Sequence, residues 1–187
     1  MRLNARRDLI LKHENSNDTK VTNIDHRIAY LADYPDYAEE VAWLKYKHWR
    51  HTSPDRPYEL WAEEIRHSAR KRELPLTFIA LKPGELLGFV TLVEIMEKVG
   101  IDRGVWLITL YVKAPYRGAG LGLRLVERCL LEARELGYSA LHLWTESARL
   151  TDYYARSGWR WFGRDDECGQ DIMMYEIVHF EDRKGAT

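Results

Sequence analysis

The chain has little of what marks the specialised classes of protein. Its two cysteines, Cys129 and Cys168, cannot build a disulfide framework across 187 residues. Cys129 falls within an apolar helical stripe and reads as a buried, inert thiol. The sequence has no CxxC, no HExxH and no dense Cys/His cluster, so no metal is expected. His48 and His51 read as surface or rim histidines. Charge of either sign is not in excess: 28 basic against 29 acidic residues give a net charge of −1. That balance offers no electrostatic case for nucleic acid or an anionic membrane as partner. No apolar run reaches the roughly 18 residues of a membrane-spanning helix. The N-terminal stretch lacks a sustained apolar segment and a small-residue cleavage site, so a cytoplasmic protein is expected. Internal repeats and low-complexity linkers are absent.

What is present suits a soluble globular domain: 45% hydrophobic and 30% charged residues in 22.1 kDa. A chain of this length buries roughly 70% of its unfolded surface, so the core needs no covalent support. Residues 1–22 are polar and aperiodic and are expected to form a poorly ordered extension; residues 23–187 are expected to form a single domain. From Ile24 onward, strands and helices alternate. HRIAYLAD reads as a first strand. Asp36, with Glu39 three residues later, reads as the N-cap of a helix through AEEVAWLKYKHW. Pro57 in a first turn opens a second helix, YELWAEEIRHSARKRE, which Pro75 stops. LTFIALKP and LLGFVTLVEI form a hairpin around Gly84 and Glu85. A polar stretch with Gly100 and Gly104 precedes the strand VWLITLYV.

A helix follows with the apolar stripe Leu123, Val126, Cys129, Leu130, Ala133 and Leu136. Gly137 is its C-terminal cap, and Arg128–Glu132 form an i,i+4 pair on its wet face. ALHLWTE is the next strand, LTDYYARS a short helix capped by Gly158, and WRWFGR and DIMMYEIVHF close the chain as two strands. About seven strands with about four helices inserted among them predict an α/β fold with one mixed sheet flanked by helices.

Chemistry concentrates in LYVKAPYRGAGLGLRLVERCLLEA, a strand, a glycine-rich turn and a helix. Gly118, Gly120 and Gly122 remove side chains where the chain enters the helix, so a phosphate could approach the backbone closely. The first N–H groups of a helix lack internal partners, and the dipole adds about half a positive charge there. Arg117 could add a charge-assisted bond to a phosphate oxygen. The bland reading is a turn with close helix–strand packing. A Walker loop needs a Lys-Ser or Lys-Thr that is missing. The dinucleotide fingerprint needs a third glycine where Leu123 stands.

The loop resembles the R-x-x-G-x-G signature of the GCN5-related N-acetyltransferases, the GNAT family. The resemblance runs from about Asn23 to Phe180 and is most specific from Trp106 to Trp159. LYV ends the preceding strand, Pro115-Tyr116-Arg117-Gly118 leads in, and YYARSGW resembles the family's FYxKxGW segment. The resemblance implies the GNAT-like acyl-CoA N-acyltransferase fold and acetyl-CoA as co-substrate, with no metal. It implies a cleft between the splayed strands VWLITLYV and ALHLWTE, with pantetheine pairing to Leu110, Tyr111 and Val112. The pyrophosphate would rest on Arg117, Gly118, Ala119, Gly120, Leu121 and Gly122. The acyl oxygen would meet a backbone N–H near Leu110, where charge grows in the tetrahedral intermediate.

By the same resemblance Tyr154 is the general acid for the departing thiolate, with packing in the core as its bland alternative and Tyr153 as the fallback. The general base stays open. Thr109 occupies the nearest position on the strand, and Glu94, Glu146, His142 and a water chain are the other candidates. Ser147 stands where many relatives carry an asparagine and would bond either pantetheine or a helix terminus. Trp43, Tyr46, Trp49, Tyr58 and Trp61, with Glu59, Glu63 and Glu64, would line the acceptor side as a cation-binding rim or pack the helices onto the sheet. A small-molecule or peptide primary amine is the expected acceptor, for a monomer or homodimer. The alternatives are a non-catalytic acyl-CoA-binding sensor module and a transferase of another acyl group.

Overall fold

A computed structural model describes residues 26–178. The expected N-terminal extension, 1–22, and the end of the closing strand lie outside them. Seven strands form one sheet: β1 Arg27–Tyr30, β2 Leu76–Lys82, β3 Glu85–Lys98, β4 Ile101–Val112, β5 Ala140–Thr145, β6 Arg160–Asp165 and β7 Gln170–Glu176. Their spatial order is β1-β2-β3-β4-β5-β7-β6. Four α-helices stand between them in sequence, α1 Ala38–Trp49, α2 Tyr58–His67, α3 Leu121–Glu135 and α4 Ala148–Arg156. No helix among the described residues is long and apolar enough to cross a membrane.

The helices divide between the two faces. Leu121, Leu125, Val126, Cys129 and Ala133 of α3, with Tyr154 of α4, pack on Phe78, Val90, Leu107, Leu141 and Leu143. Val41 and Ala42 of α1 and Ala62 and Ile65 of α2 pack on Ile79, Leu86 and Phe89 from the other side. β2 therefore buries both its faces, which is why it reads as an unbroken apolar run. Burial of a side chain such as Leu125 or Ile65, both 0% exposed, contributes about 1.5–3 kcal/mol.

Several boundaries differ from expectation. Asp36 is not a cap: Pro35 fixes a 3-10 turn over Pro35–Tyr37, and α1 continues from it with no side-chain cap. Pro57 is the N-cap residue of α2 itself, in extended backbone at φ −67° and ψ 151°. That helix ends at His67 because Ser68 is anchored. Its buried hydroxyl donates to the Ile65 carbonyl at 2.9 Å and shares a 2.7 Å bond with Thr77 Oγ1. The polar stretch around Gly100 is no loop: β3 runs to Lys98 and β4 begins at Ile101, so only Val99 and Gly100 turn. Arg103 donating to Glu94 at 2.6 Å ties the two polar strands together.

The Arg128–Glu132 pair exists at 2.7 Å, but on the buried side: the Glu132 side chain is 0% exposed. The hydroxyl of Tyr30 donates to the same carboxylate at 2.7 Å, and the Arg128 guanidinium lies 4.3 Å from the centre of the Phe78 ring. Tertiary contact with β1 and β2, invisible in the helix's own periodicity, turned a solvated pair into a core element.

Candidate active site

β4 and β5 are the one parallel pair in the sheet, and their ladder has two rungs, Val105↔Leu141 and Trp106↔His142. Beyond Trp106 the strands part. β4 then runs past a bulge, because Thr91 pairs Ile108 while Phe89 pairs Tyr111, which leaves Thr109 and Leu110 opposite Val90 alone. Thr109 carries the strain of that bulge, with φ +51° for a β-branched residue. Its hydroxyl is buried without a partner. A neutral alcohol with no adjacent base does not take up a proton, so Thr109 shapes the backbone here.

The bulge leaves Thr109 and Leu110 without rungs of their own on β3. Farther along, the Lys113 N–H bonds back to the Leu87 carbonyl at 2.9 Å. By the alternation of an antiparallel ladder, the Val112 groups therefore face the cleft and those of Tyr111 face β3. The Tyr111 carbonyl indeed presses on Gly88, whose Cβ would sit 2.5 Å from it. Tyr111 offers the helix side its ring, stacked on Phe89 at 5.5 Å and met edge-on by His48 at 5.4 Å.

The cleft leads to the N-terminus of α3. Gly118 and Gly120 adopt φ +80° and +78°, conformations that suit glycine, and Gly120 is the N-cap. No side chain caps α3, and its first turn holds no acidic residue, so its N–H groups stand open. Gly122 has no neighbour nearer to its would-be Cβ than Val112 at 3.8 Å. Arg117 donates Nε to the Val112 carbonyl at 2.8 Å and lies over the Tyr111 ring at 5.8 Å, which pins the guanidinium at the cleft mouth. Tyr116, held between Lys82 and Glu85 at 2.7 Å each, fixes the approach to the turn. Lys113 paired with Glu40 at 2.7 Å ties the same turn to α1.

On the α3 side of the sheet stands Tyr154, 7% exposed, with edge-on rings of Tyr153 at 5.4 Å and Trp159 at 5.6 Å. Its hydroxyl is not sealed off and makes no hydrogen bond to the described residues. Burial pushes the phenol up to about 12, so it keeps its proton at neutral pH. The neighbouring thiol of Cys129, fully buried, is pushed up by the same desolvation. Ser147 caps α4: its Oγ accepts from the Leu150 N–H at 3.4 Å. A shallow depression over Ser147, Arg149, Leu150 and Tyr153 adjoins that cap.

These residues lie in the order that the GNAT signature requires, and residues 36–159 match the model of the acetyltransferase (GNAT) family. The chain belongs to that family. Solved structures similar in fold include an aminoglycoside 6'-N-acetyltransferase complexed with coenzyme A, at TM-score 0.63 and 18% identity, matching 82% of this chain and 98% of that one. An acetyltransferase from Streptococcus agalactiae 2603 matches at TM-score 0.62 and 19% identity, over 83% of this chain and 100% of the other. A GNAT family acetyltransferase from Brucella melitensis in complex with acetyl-CoA matches at 0.58 and 18%, over 84% and 91%. No curated protein matches the sequence. The seven-stranded sheet and four helices are thus the acyl-CoA N-acyltransferase fold of the GNAT acetyltransferases.

Within this GNAT frame the remaining candidates separate. Glu94 is held by Arg103 and Tyr138, which lower its carboxyl below the usual range. A carboxylate so engaged is a poor proton acceptor. Glu146 is exposed beyond the end of β5. His142 is 5% exposed on the face opposite α3, packed 5.1 Å from the Trp106 ring and edge-on to Phe162 at 5.6 Å.

The aromatic helix residues pack with one another, Tyr46 lying 5.4 Å from Tyr58 and 6.4 Å from Trp61. Trp61 already carries two internal cations, Lys45 at 5.6 Å and Arg56 at 5.0 Å, both paired to Glu64. That part of the expected cation-binding rim is spent on holding α1 to α2. Among the described residues no group of three or more His, Cys, Asp or Glu side chains could hold a metal ion.

Proposed function

We propose that this acetyltransferase moves an acetyl group from acetyl-CoA to a primary amine by direct transfer in a ternary complex. The observation that carries the reading is the early end of the β4–β5 ladder, beside an uncapped helix N-terminus. It leaves an open strand edge leading to a concentration of N–H donors, the shape of an extended thiol arm ending in a pyrophosphate. Leu110 and Val112 would meet pantetheine through backbone groups, and Tyr111 would flank them. Arg117, Gly118, Ala119, Gly120, Leu121 and Gly122 would hold the pyrophosphate. Ser147 would reach the arm only by relinquishing the α4 cap.

The amine nitrogen attacks the thioester carbon, and a backbone N–H near Leu110, where the bulge leaves no rung on β3, receives the oxyanion. As the C–S bond breaks, Tyr154 gives its proton to sulfur. A phenol near 12 would be a weak donor to a thiolate in water, where free thiols titrate near 8.5. The dry surroundings that raise Cys129 would also raise the leaving thiol, and so narrow the gap.

A thermal-shift titration with acetyl-CoA and desulfo-CoA, against NAD and ATP, followed by release of free CoA thiol over an amine panel, tests the reading. Ligand at about 100 times its Kd stabilises the fold by about 2.7 kcal/mol. Stabilisation by both CoA ligands and amine-dependent thiol release support the proposal. Indifference to both CoA ligands would leave the glycine turn a structural element.

A further inference from the structure

We infer that His142 is the general base that removes the proton from the attacking amine. The inference rests on the transferase reading above and names a residue in that same site. The Trp106↔His142 pair is the last rung of the parallel ladder, so the imidazole stands at the vertex where the cleft opens. Side chains alternate along β5: Leu141 and Leu143 join the α3 core, and His142 points to the opposite face. Tyr154 lies on the α3 side. Tyr154 and His142 thus stand on opposite faces of the sheet, the imidazole at the vertex of the gap.

The tautomer follows from a single contact. His142 Nδ1 lies 3.3 Å from the Val105 carbonyl oxygen, which only accepts, so Nδ1 carries the hydrogen. In the neutral ring Nε2 then holds a lone pair. Nε2 is not sealed in the interior and bonds to no described residue. At Gly104 a Cβ would lie 2.8 Å from Ile101 Cγ2, 3.2 Å from Trp106 Nε1 and 3.4 Å from His142 Nδ1, so the glycine leaves room for the Trp106 ring beside the imidazole.

The surroundings favour the neutral ring. Trp106 packs beside it, itself stacked on Trp144 at 4.1 Å, and Phe162 stands edge-on. Burial lowers the imidazole below its ordinary range, with the Val105 contact opposing. Some of the charges on this face are engaged with one another. Asp165 accepts from Trp144 Nε1 at 2.9 Å and pairs with Lys98 at 3.1 Å, and Lys98 also bonds Glu167. Register places Asp102 of β4, Arg160 of β6 and Glu176 of β7 on the same face.

The step balances. The amine lone pair forms the C–N bond, and an N–H proton passes through a water in the cleft to Nε2. The C–S electron pair leaves with sulfur, which takes the Tyr154 proton. Imidazolium and phenolate then return to their resting forms through solvent.

The test is the pH profile of kcat/KM, with an accepted amine, for the wild type and for His142→Gln. The expected wild-type acid limb has its midpoint below about 6.5. In His142→Gln that limb disappears and kcat/KM falls roughly 10²- to 10⁴-fold, while the acetyl-CoA thermal shift is kept. A variant within threefold of wild type, with the limb unchanged, overturns the assignment and leaves the transferase reading standing. A wild type that releases no CoA with any amine removes both. Should the glutamine variant not fold, ¹⁵N NMR of the wild type decides. An Nδ1–H tautomer titrating with the kinetic limb supports the base; the other tautomer, or a different midpoint, overturns it.

Discussion

The hydroxyl of Tyr30 donates to the carboxylate of Glu132 at 2.7 Å, joining the first strand of the sheet to the third helix across 102 positions of sequence. Because Arg128 pairs with the same wholly buried group, removing the carboxylate takes the charge partner from a largely buried cation, which keeps only its bond to the Tyr30 hydroxyl. Glu132→Ala is expected to cost about 3–5 kcal/mol, as breaking a buried pair does. Tyr30→Phe, which keeps the ion pair, is expected to cost about 1–3 kcal/mol. Urea unfolding of the two variants checks the order; equal small losses would place the cluster in solvent.

That pair also shows where sequence reading ended. Spacing within α3 identified Arg128 and Glu132 as partners, but Tyr30 and Phe78 close over them only in the folded chain, so the wet face was the wrong face. The glycine turn was legible because its cause is local: left-handed glycines, an uncapped first turn and Arg117 lie within a few residues. The cleft's vertex was not, since the role of His142 depends on how two distant strands register. The bulge at Thr109 likewise left no mark in a strand that reads VWLITLYV. Helix ends failed where a buried side chain from elsewhere, Thr77 against Ser68, decided them.

Gly120→Ala is expected to destabilise the protein by about 1–2 kcal/mol, the cost of a left-handed backbone for a residue with a Cβ. The site has open space, with nothing within 4 Å of the added atom, so the effect isolates φ from crowding. A thermal melt measures it. Gly122→Ala, inside the helix and with φ in the ordinary range, serves as the comparison and is expected to melt at or above the wild type.

Arg117→Ala is expected to weaken acetyl-CoA and desulfo-CoA equally, by roughly 10- to 100-fold, the scale of a lost hydrogen bond to a charged group. Calorimetric titration of both ligands tests it. A loss confined to acetyl-CoA would move Arg117 from the phosphate end to the thioester.

Tyr154→Phe is expected to retain acetyl-CoA binding and lose roughly 10²-fold or more in turnover. Single-turnover acetyl transfer measures the chemical step directly. Unchanged transfer would reduce Tyr154 to a packing residue between Tyr153 and Trp159.

Stability should depend on pH through His142. The folded protein holds the imidazole below its ordinary range, so the unfolded chain binds more protons in mild acid. The contribution is intact above about pH 6.5 and is lost as pH falls from there toward the lowered folded value. Melting temperatures from pH 8 to 5 are expected to decline more steeply for the wild type than for His142→Gln. Parallel curves would mean that the ring titrates alike in both states.

Among the described residues, two rungs of parallel pairing fasten the backbone of β1–β4 to that of β5–β7. The sheet is therefore built as two panels meeting at a seam, and α3 packs mainly on the β2–β4 panel and reaches β5. A molecule threaded into the parted edges would act as the missing stitches. Cofactor occupancy and mechanical cohesion would then be one variable: the loaded protein is expected to unfold as a whole, and the empty one to open first at the seam.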